Sequence, residues 1–165
     1  MYIDHNYYQS LYGDIPEADF NRLSWEACRK MDAVTTGIDG VKKLKVAFPT
    51  DEEDAEAVKR CACALVDILY QVKQAEETVR SASGYTETED GLKGKVISSV
   101  SAGNESISYA VGKSATVETW LDKALSDSAE LDNKISGTMR EYLSGVCDAN
   151  CVNLLFMGEY PKIIR

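Results

Sequence analysis

Thr50-Asp51-Glu52-Glu53-Asp54-Ala55-Glu56-Ala57-Val58-Lys59-Arg60-Cys61-Ala62-Cys63-Ala64-Leu65-Val66-Asp67-Ile68-Leu69-Tyr70-Gln71-Val72 is the stretch on which the fold turns. Val58, Cys61, Ala62, Leu65, Ile68, Leu69 and Val72 recur at helical spacing. Thr50 and Glu53 read as a capping box, and Asp51, Glu52 and Asp54 add negative charge at the positive end of the helix dipole. The apolar pattern fades through Ala75 and Val79 and stops before Gly84. A helix over 51–82 would be a rod of roughly 48 Å at the standard rise. In a chain of 165 residues such a rod must pack against several elements or against neighbouring subunits.

Helices also flank it. Pro16 suits the first turn of a helix, Glu17 and Asp19 complement its dipole, and Phe20, Leu23, Ala27, Met31 and Val34 form one stripe over 16–34. Before it, Tyr2, Tyr7, Tyr8 and Tyr12 crowd an aromatic lead-in that turns at Gly13-Asp14. Residues 37–49, with Gly37, Gly40 and Pro49, read as a loop with at most one helical turn, and Lys42, Lys43 and Lys45 as its solvated face. Residues 83–94 read as a linker. Runs 95–101 and 105–111 are β-prone around Ala102-Gly103-Asn104 and predict a hairpin, which needs support from helices or another chain. Helices follow over 115–145, through Val117, Trp120, Leu121, Leu131, Ile135, Met139 and Leu143, with a break near Ser126–Ser128 and a terminal tail at 146–165. The expectation is one all-α domain over 1–165, a helical bundle with a long central helix and a β-hairpin insertion.

Charge and composition narrow the function. Lys and Arg number 18 against 27 Asp and Glu, a net charge of −9 that opposes phosphate binding. A single histidine leaves little for metal or acid–base chemistry, and His5 reads as a solvated terminal residue. Cys61 and Cys63 would point about 200° apart on a helix, poor geometry for one zinc ion, so Cys61 reads as a core residue with Cys63 on another face. The run Asp51–Glu56 is explained by helix N-terminal charge without a ligand. No stretch approaches the ~20 apolar residues of a membrane span, no signal peptide is visible, and five cysteines fit a reducing cytoplasm. No catalytic residue, metal ligand or cofactor is expected. Trp25 lies off the main stripe of its helix and is an interface candidate. Val96, Ile97, Val100, Ile107 and Tyr109 on the hairpin, whose edges invite pairing, and Leu154, Leu155 and Phe156 in the tail complete that set.

The order of these features resembles the head–tail connector (adaptor) proteins of long-tailed bacteriophages. Tyr12-Gly13-Asp14-Ile15-Pro16-Glu17-Ala18-Asp19-Phe20-Asn21-Arg22-Leu23 is similar to that family's opening, and Ala27, Met31, Asp32 and Thr35 to the end of its first helix. Val58-Lys59-Arg60-Cys61-Ala62-Cys63-Ala64 falls where its long helix runs. Ile97 to Tyr109 resembles its Ser-rich segment, and Tyr142-Leu143 with Leu154-Leu155-Phe156-Met157-Gly158 its C-terminal signature. Met157 replaces a common Arg, and 146–153 looks like an insertion. The resemblance implies a phage- or prophage-encoded virion part without catalysis, assembled in the host cytoplasm. It implies a homo-oligomeric ring, commonly of about twelve copies, beneath the portal protein. Such a ring receives a tail or head-completion protein, and DNA passes through it without specific binding. The alternative is a small bacterial helical regulatory or binding domain. On the connector reading, removing 154–165 is expected to weaken portal docking and spare the fold.

Overall fold

The computed structural model describes the backbone of residues 1–88, 91–96, 100–102, 105–107 and 120–161, and the side chains of 1–78, 120–121 and 123–161. The described chain is mostly helical. It divides into two compact units, one made of Met1–Tyr70 with Leu131–Arg165, the other of Gln71–Glu130.

In the first unit the chain opens with α1, His5–Tyr12, where the sequence predicts only an aromatic lead-in. Asp4 caps α1 by accepting from the Tyr7 amide at 2.8 Å, and Gly13 ends it at φ 93°, a conformation that favours glycine. Tyr8 is fully buried against Phe20, with ring centroids 5.8 Å apart, and stacks on Tyr12 at 5.5 Å. The tyrosines therefore act as core side chains with polar tips, which is why a helix forms where the polar spacing gave no period. His5 is not merely solvated, since its Nε2 lies 2.8 Å from the Ile15 carbonyl oxygen and its ring packs at Phe20.

Helix α2 covers Glu17–Val34 and buries Phe20, Leu23, Ala27 and Met31 of the predicted stripe, while Val34 at its end is half-buried. Its end is fixed by the Thr35 hydroxyl, which donates to the Met31 carbonyl at 2.9 Å. After a single helical turn, α3 at Lys43–Val46, comes α4, Glu52–Ala82. The cap of α4 is Asp51 rather than Thr50: its Oδ1 accepts from the Glu53 and Asp54 amides at 3.0 and 3.2 Å. A carboxylate there satisfies the amides and complements the dipole at once, so it outcompetes the hydroxyl.

The middle of α4 departs from a one-sided stripe. Cys61, Ala62, Cys63, Ala64, Leu65 and Val66 are consecutive and all buried, so no face of this segment meets water. Cys63 is thus as deeply placed as Cys61, and burial pushes both thiols up to about 12. Small residues at four of the six positions let neighbouring elements close in from every side. Helix α6, Ser128–Leu143, contributes Ile135, Met139 and Leu143 to the core of this unit. Gly145 at φ 85° turns the chain out of it.

In the second unit, α5 spans Trp120–Ser126, and Asp127 separates it from α6 by capping the Ala129 amide at 2.9 Å. Strand β1, Ser83–Thr88, pairs antiparallel with β2, Gly91–Val96, where the sequence predicts a linker. Tyr85, Thr86 and Thr88 give that segment strand propensity despite its polarity. Strands β3, Val100–Ala102, and β4, Glu105–Ile107, pair with Val100 opposite Ile107. Of the hairpin predicted over 95–111, residues 97–99, 103–104 and 108–111 lie outside the described residues, as does the 115–119 start of the C-terminal helices. No helix among the described residues is long and apolar enough to cross a membrane.

One expected result concerns alkali. Burial, together with the nearby carboxylates Asp32, Glu56 and Asp67, raises Tyr2, Tyr7 and Tyr8 far above the usual phenol value, and burial lifts Tyr12 to about 12. Each folded pKa exceeds its unfolded value of about 10, so this stability is complete below pH 10 and is lost as pH rises above it. Circular dichroism and tyrosinate absorbance should change together just above pH 10. Ionisation of the four tyrosines well before unfolding would contradict this.

Candidate interaction surface

Residues 36–46 and the C-terminal segment build one structure between them. Thr36 and Lys42 form an antiparallel bridge, with Gly40 at φ 78° in the turn between them. Asp39, at the tip, accepts from the Val41 amide at 3.1 Å and from the Tyr160 amide at 2.8 Å, and these two donors hold its carboxyl below the usual carboxylate value. On the other side, Cys147 bridges Asn153 around a tight turn, and Asp148 Oδ1 accepts from the Asn150 and Val152 amides at 2.8 and 2.9 Å. Asp148 Oδ2 accepts from the Tyr160 hydroxyl. The apparent insertion at 146–153 is therefore an ordered turn, closed by Cys151 at φ 59°.

Lys43 joins the two halves. Its side chain is fully buried, and Nζ donates to the Thr35 carbonyl at 3.2 Å, the Leu154 carbonyl at 3.1 Å and the Phe156 carbonyl. Three donors meet three acceptors, which accounts for the whole ammonium. Desolvation lowers the Lys43 pKa, while Asp148 and Asp39 pull it back up. The sequence places Lys43 on a solvated basic face; burial corrects that reading. Lys45 stays exposed while its ammonium pairs with the buried Asp32 at 3.1 Å, so Lys42 and Lys45 both fit the solvated description.

What this clasp presents outward is apolar. Ile38 is 80% exposed, Met157 61% and Phe156 50%. The Ile38 amide donates to the Met157 carbonyl at 3.2 Å, which ties the backbone of the two segments together. Close packing fixes the backbone beneath them. A Cβ at Gly37 would lie 2.8 Å from the Gly158 carbonyl oxygen, and one at Gly158 would strike the Phe156 ring. Gly37→Ala should therefore loosen the tail at a cost of about 1–3 kcal/mol, measurable by chemical denaturation. Unchanged stability would mean the two segments separate freely.

The predicted interface residues fall in different places. Phe156 is exposed and Leu155 partly so, but Leu154 is fully buried and packs the core. Trp25 is 59% exposed on α2 with the Arg29 guanidinium over its ring at 5.4 Å. Val96, Val100 and Ile107 lie on paired strands, and Ile97 and Tyr109 lie outside the described residues. The sequence reading gives Ile38 no role, marks Met157 only as a departure from the connector signature, and puts Lys43 on a solvated face. An isolated Ile in a Gly-rich turn was the only available signal for Ile38, and nothing local distinguishes Lys43 from Lys42 or Lys45. Among the described residues no group of His, Cys, Asp or Glu is arranged to hold a metal ion. Comparison with family models, curated proteins and solved structures gives no match to this chain.

Proposed function

We propose that the protein is a structural virion component, a head–tail connector that joins the portal vertex of a phage head to tail or head-completion proteins as an oligomeric ring. It performs no catalysis in this role. The observation that carries the reading is the clasped C-terminal patch, where Ile38, Phe156 and Met157 stand exposed on a backbone that Lys43 holds rigid. An apolar patch built on fixed backbone is preorganised for a protein partner, because little ordering entropy remains to be lost on docking. The stretch that resembles the connectors' C-terminal signature is this same segment, Leu154 to Gly158. The β-hairpin insertion over 95–111 supplies the second contact in the proposal, between neighbouring subunits. The net charge of −9 suits the wall of a conduit past which DNA slides without sticking.

Electron microscopy of the protein mixed with the portal ring of the same phage genome is the direct test. Ring density beneath the portal is expected, and its absence would overturn the assignment in favour of a cellular binding domain. Deleting 154–165 cannot serve as the control, since Leu154 belongs to the core and its carbonyl binds Lys43. Paired Phe156→Glu and Met157→Glu substitutions are cleaner. They should weaken portal binding about 30-fold or more, as loss of an interface anchor does, with the helical spectrum unchanged.

A further inference from the structure

Helix α2 carries a second surface with the opposite character. Arg22, Trp25, Glu26, Arg29, Lys30 and Ala33 line an open groove of ≈ 460 Å³ on its outer side. Arg22, Trp25 and Arg29 are exposed, and Lys30 pairs with Asp132 at 3.6 Å. Trp and Arg are the residues most enriched where binding energy concentrates, and Arg29 stacked on Trp25 is already held in place. The groove is also a basic spot on a chain whose net charge is −9.

We infer that this groove is a socket for a second copy of the same chain, entered by the acidic first turn of α4. Asp51, Glu52 and Glu53 are all exposed there, whereas Asp54 accepts from the Cys147 amide at 3.0 Å and Glu56 from Tyr7 and Arg60. Charge decides between occupants. Two copies at −9 repel each other over most of their surface, so the α2 groove against the α4 turn is an approach that electrostatics favours. A nucleic acid would neutralise few phosphates with these two arginines on a chain of net charge −9, too few for tight binding. The groove and the acidic turn are different patches, so the contact is head-to-tail and can propagate from copy to copy, closing into a ring if the rotation allows. This contact deepens the connector reading, since it supplies a subunit contact independent of the hairpin and of the portal patch.

The experiment is sedimentation velocity on the full chain across concentration and salt. The wild type should self-associate, and more weakly as salt rises. Arg22→Glu with Arg29→Glu, and separately Glu52→Lys with Glu53→Lys, should each weaken association about ten-fold or more with unchanged circular dichroism. Mixing the two variants should restore a heterologous pair, because a reversed socket meets a reversed plug. A wild type that stays monomeric at high concentration would overturn both this contact and self-assembly in the absence of portal. A wild type that assembles while neither variant weakens it, or variants that fail to rescue each other, would overturn this contact alone. Tight binding of a random duplex by the wild type, lost in the arginine variant, would replace the second copy with nucleic acid.

Discussion

Lys43→Met is expected to destabilise the unit formed by Met1–Tyr70 and Leu131–Arg165 by about 3 kcal/mol, lowering its melting temperature by roughly 10 °C. Methionine fills much the same volume but donates nothing. The carbonyl oxygens of Thr35, Leu154 and Phe156 all accept from the one ammonium that the substitution removes. Each buried acceptor left unpaired costs about 1–3 kcal/mol, and relief of the ammonium's own desolvation offsets part of the sum. Lys42→Met, on an exposed side chain, should change stability by less than about 0.5 kcal/mol and serves as the control. The two substitutions also differ in pH dependence. The folded pKa of Lys43 lies below its unfolded value of 10.5, so the unfolded chain binds more protons between the two. Stability from this group therefore rises with pH across that interval, and the rise should vanish in Lys43→Met. Chemical denaturation at neutral and mildly alkaline pH measures both effects; equal stability of the two variants would remove Lys43 from its structural role.

Leu65→Ala is the second large effect, with an expected cost of about 2–5 kcal/mol. Leu65 is fully buried within the six consecutive buried residues of α4, so no face of the helix can move toward solvent to close the cavity. Ala62→Leu tests the same enclosure from the opposite side. Overpacking there should cost about 1–3 kcal/mol, although leucine has good helix propensity and would be harmless on an exposed face. Denaturant midpoints give both values. A neutral Ala62→Leu would show that one side of this segment is open.

The contrast between these two sites explains what could be read from the chain before folding. The stripes Phe20–Val34 and Val58–Val72 were legible because apolar period and helix are linked by geometry alone. The break at Asp127 was legible within a residue, from the serines around it. Helix α1 was not, because its packing depends on aromatic rings whose hydroxyls find carboxylates 49 and 59 residues away. Cys63 was misplaced for a similar reason: a local period says which face is apolar, not how many neighbours surround it. Of the candidate surface, Phe156 was visible as an apolar residue near the chain's last turn, and Trp25 as one off its stripe. Leu154 and Leu155 looked equivalent to Phe156, and only the bridge from Cys147 to Asn153 sends Leu154 inward.

Lys43 also sets a schedule. Its carbonyl partners at Leu154 and Phe156 follow it by 111 and 113 residues. A ribosome adding roughly 5–20 residues per second needs about 6–20 s to supply them. Until then the amine lacks two of its three acceptors, and Phe156 has not been made. The nascent chain thus cannot present its apolar patch before the last turn of the unit is synthesised.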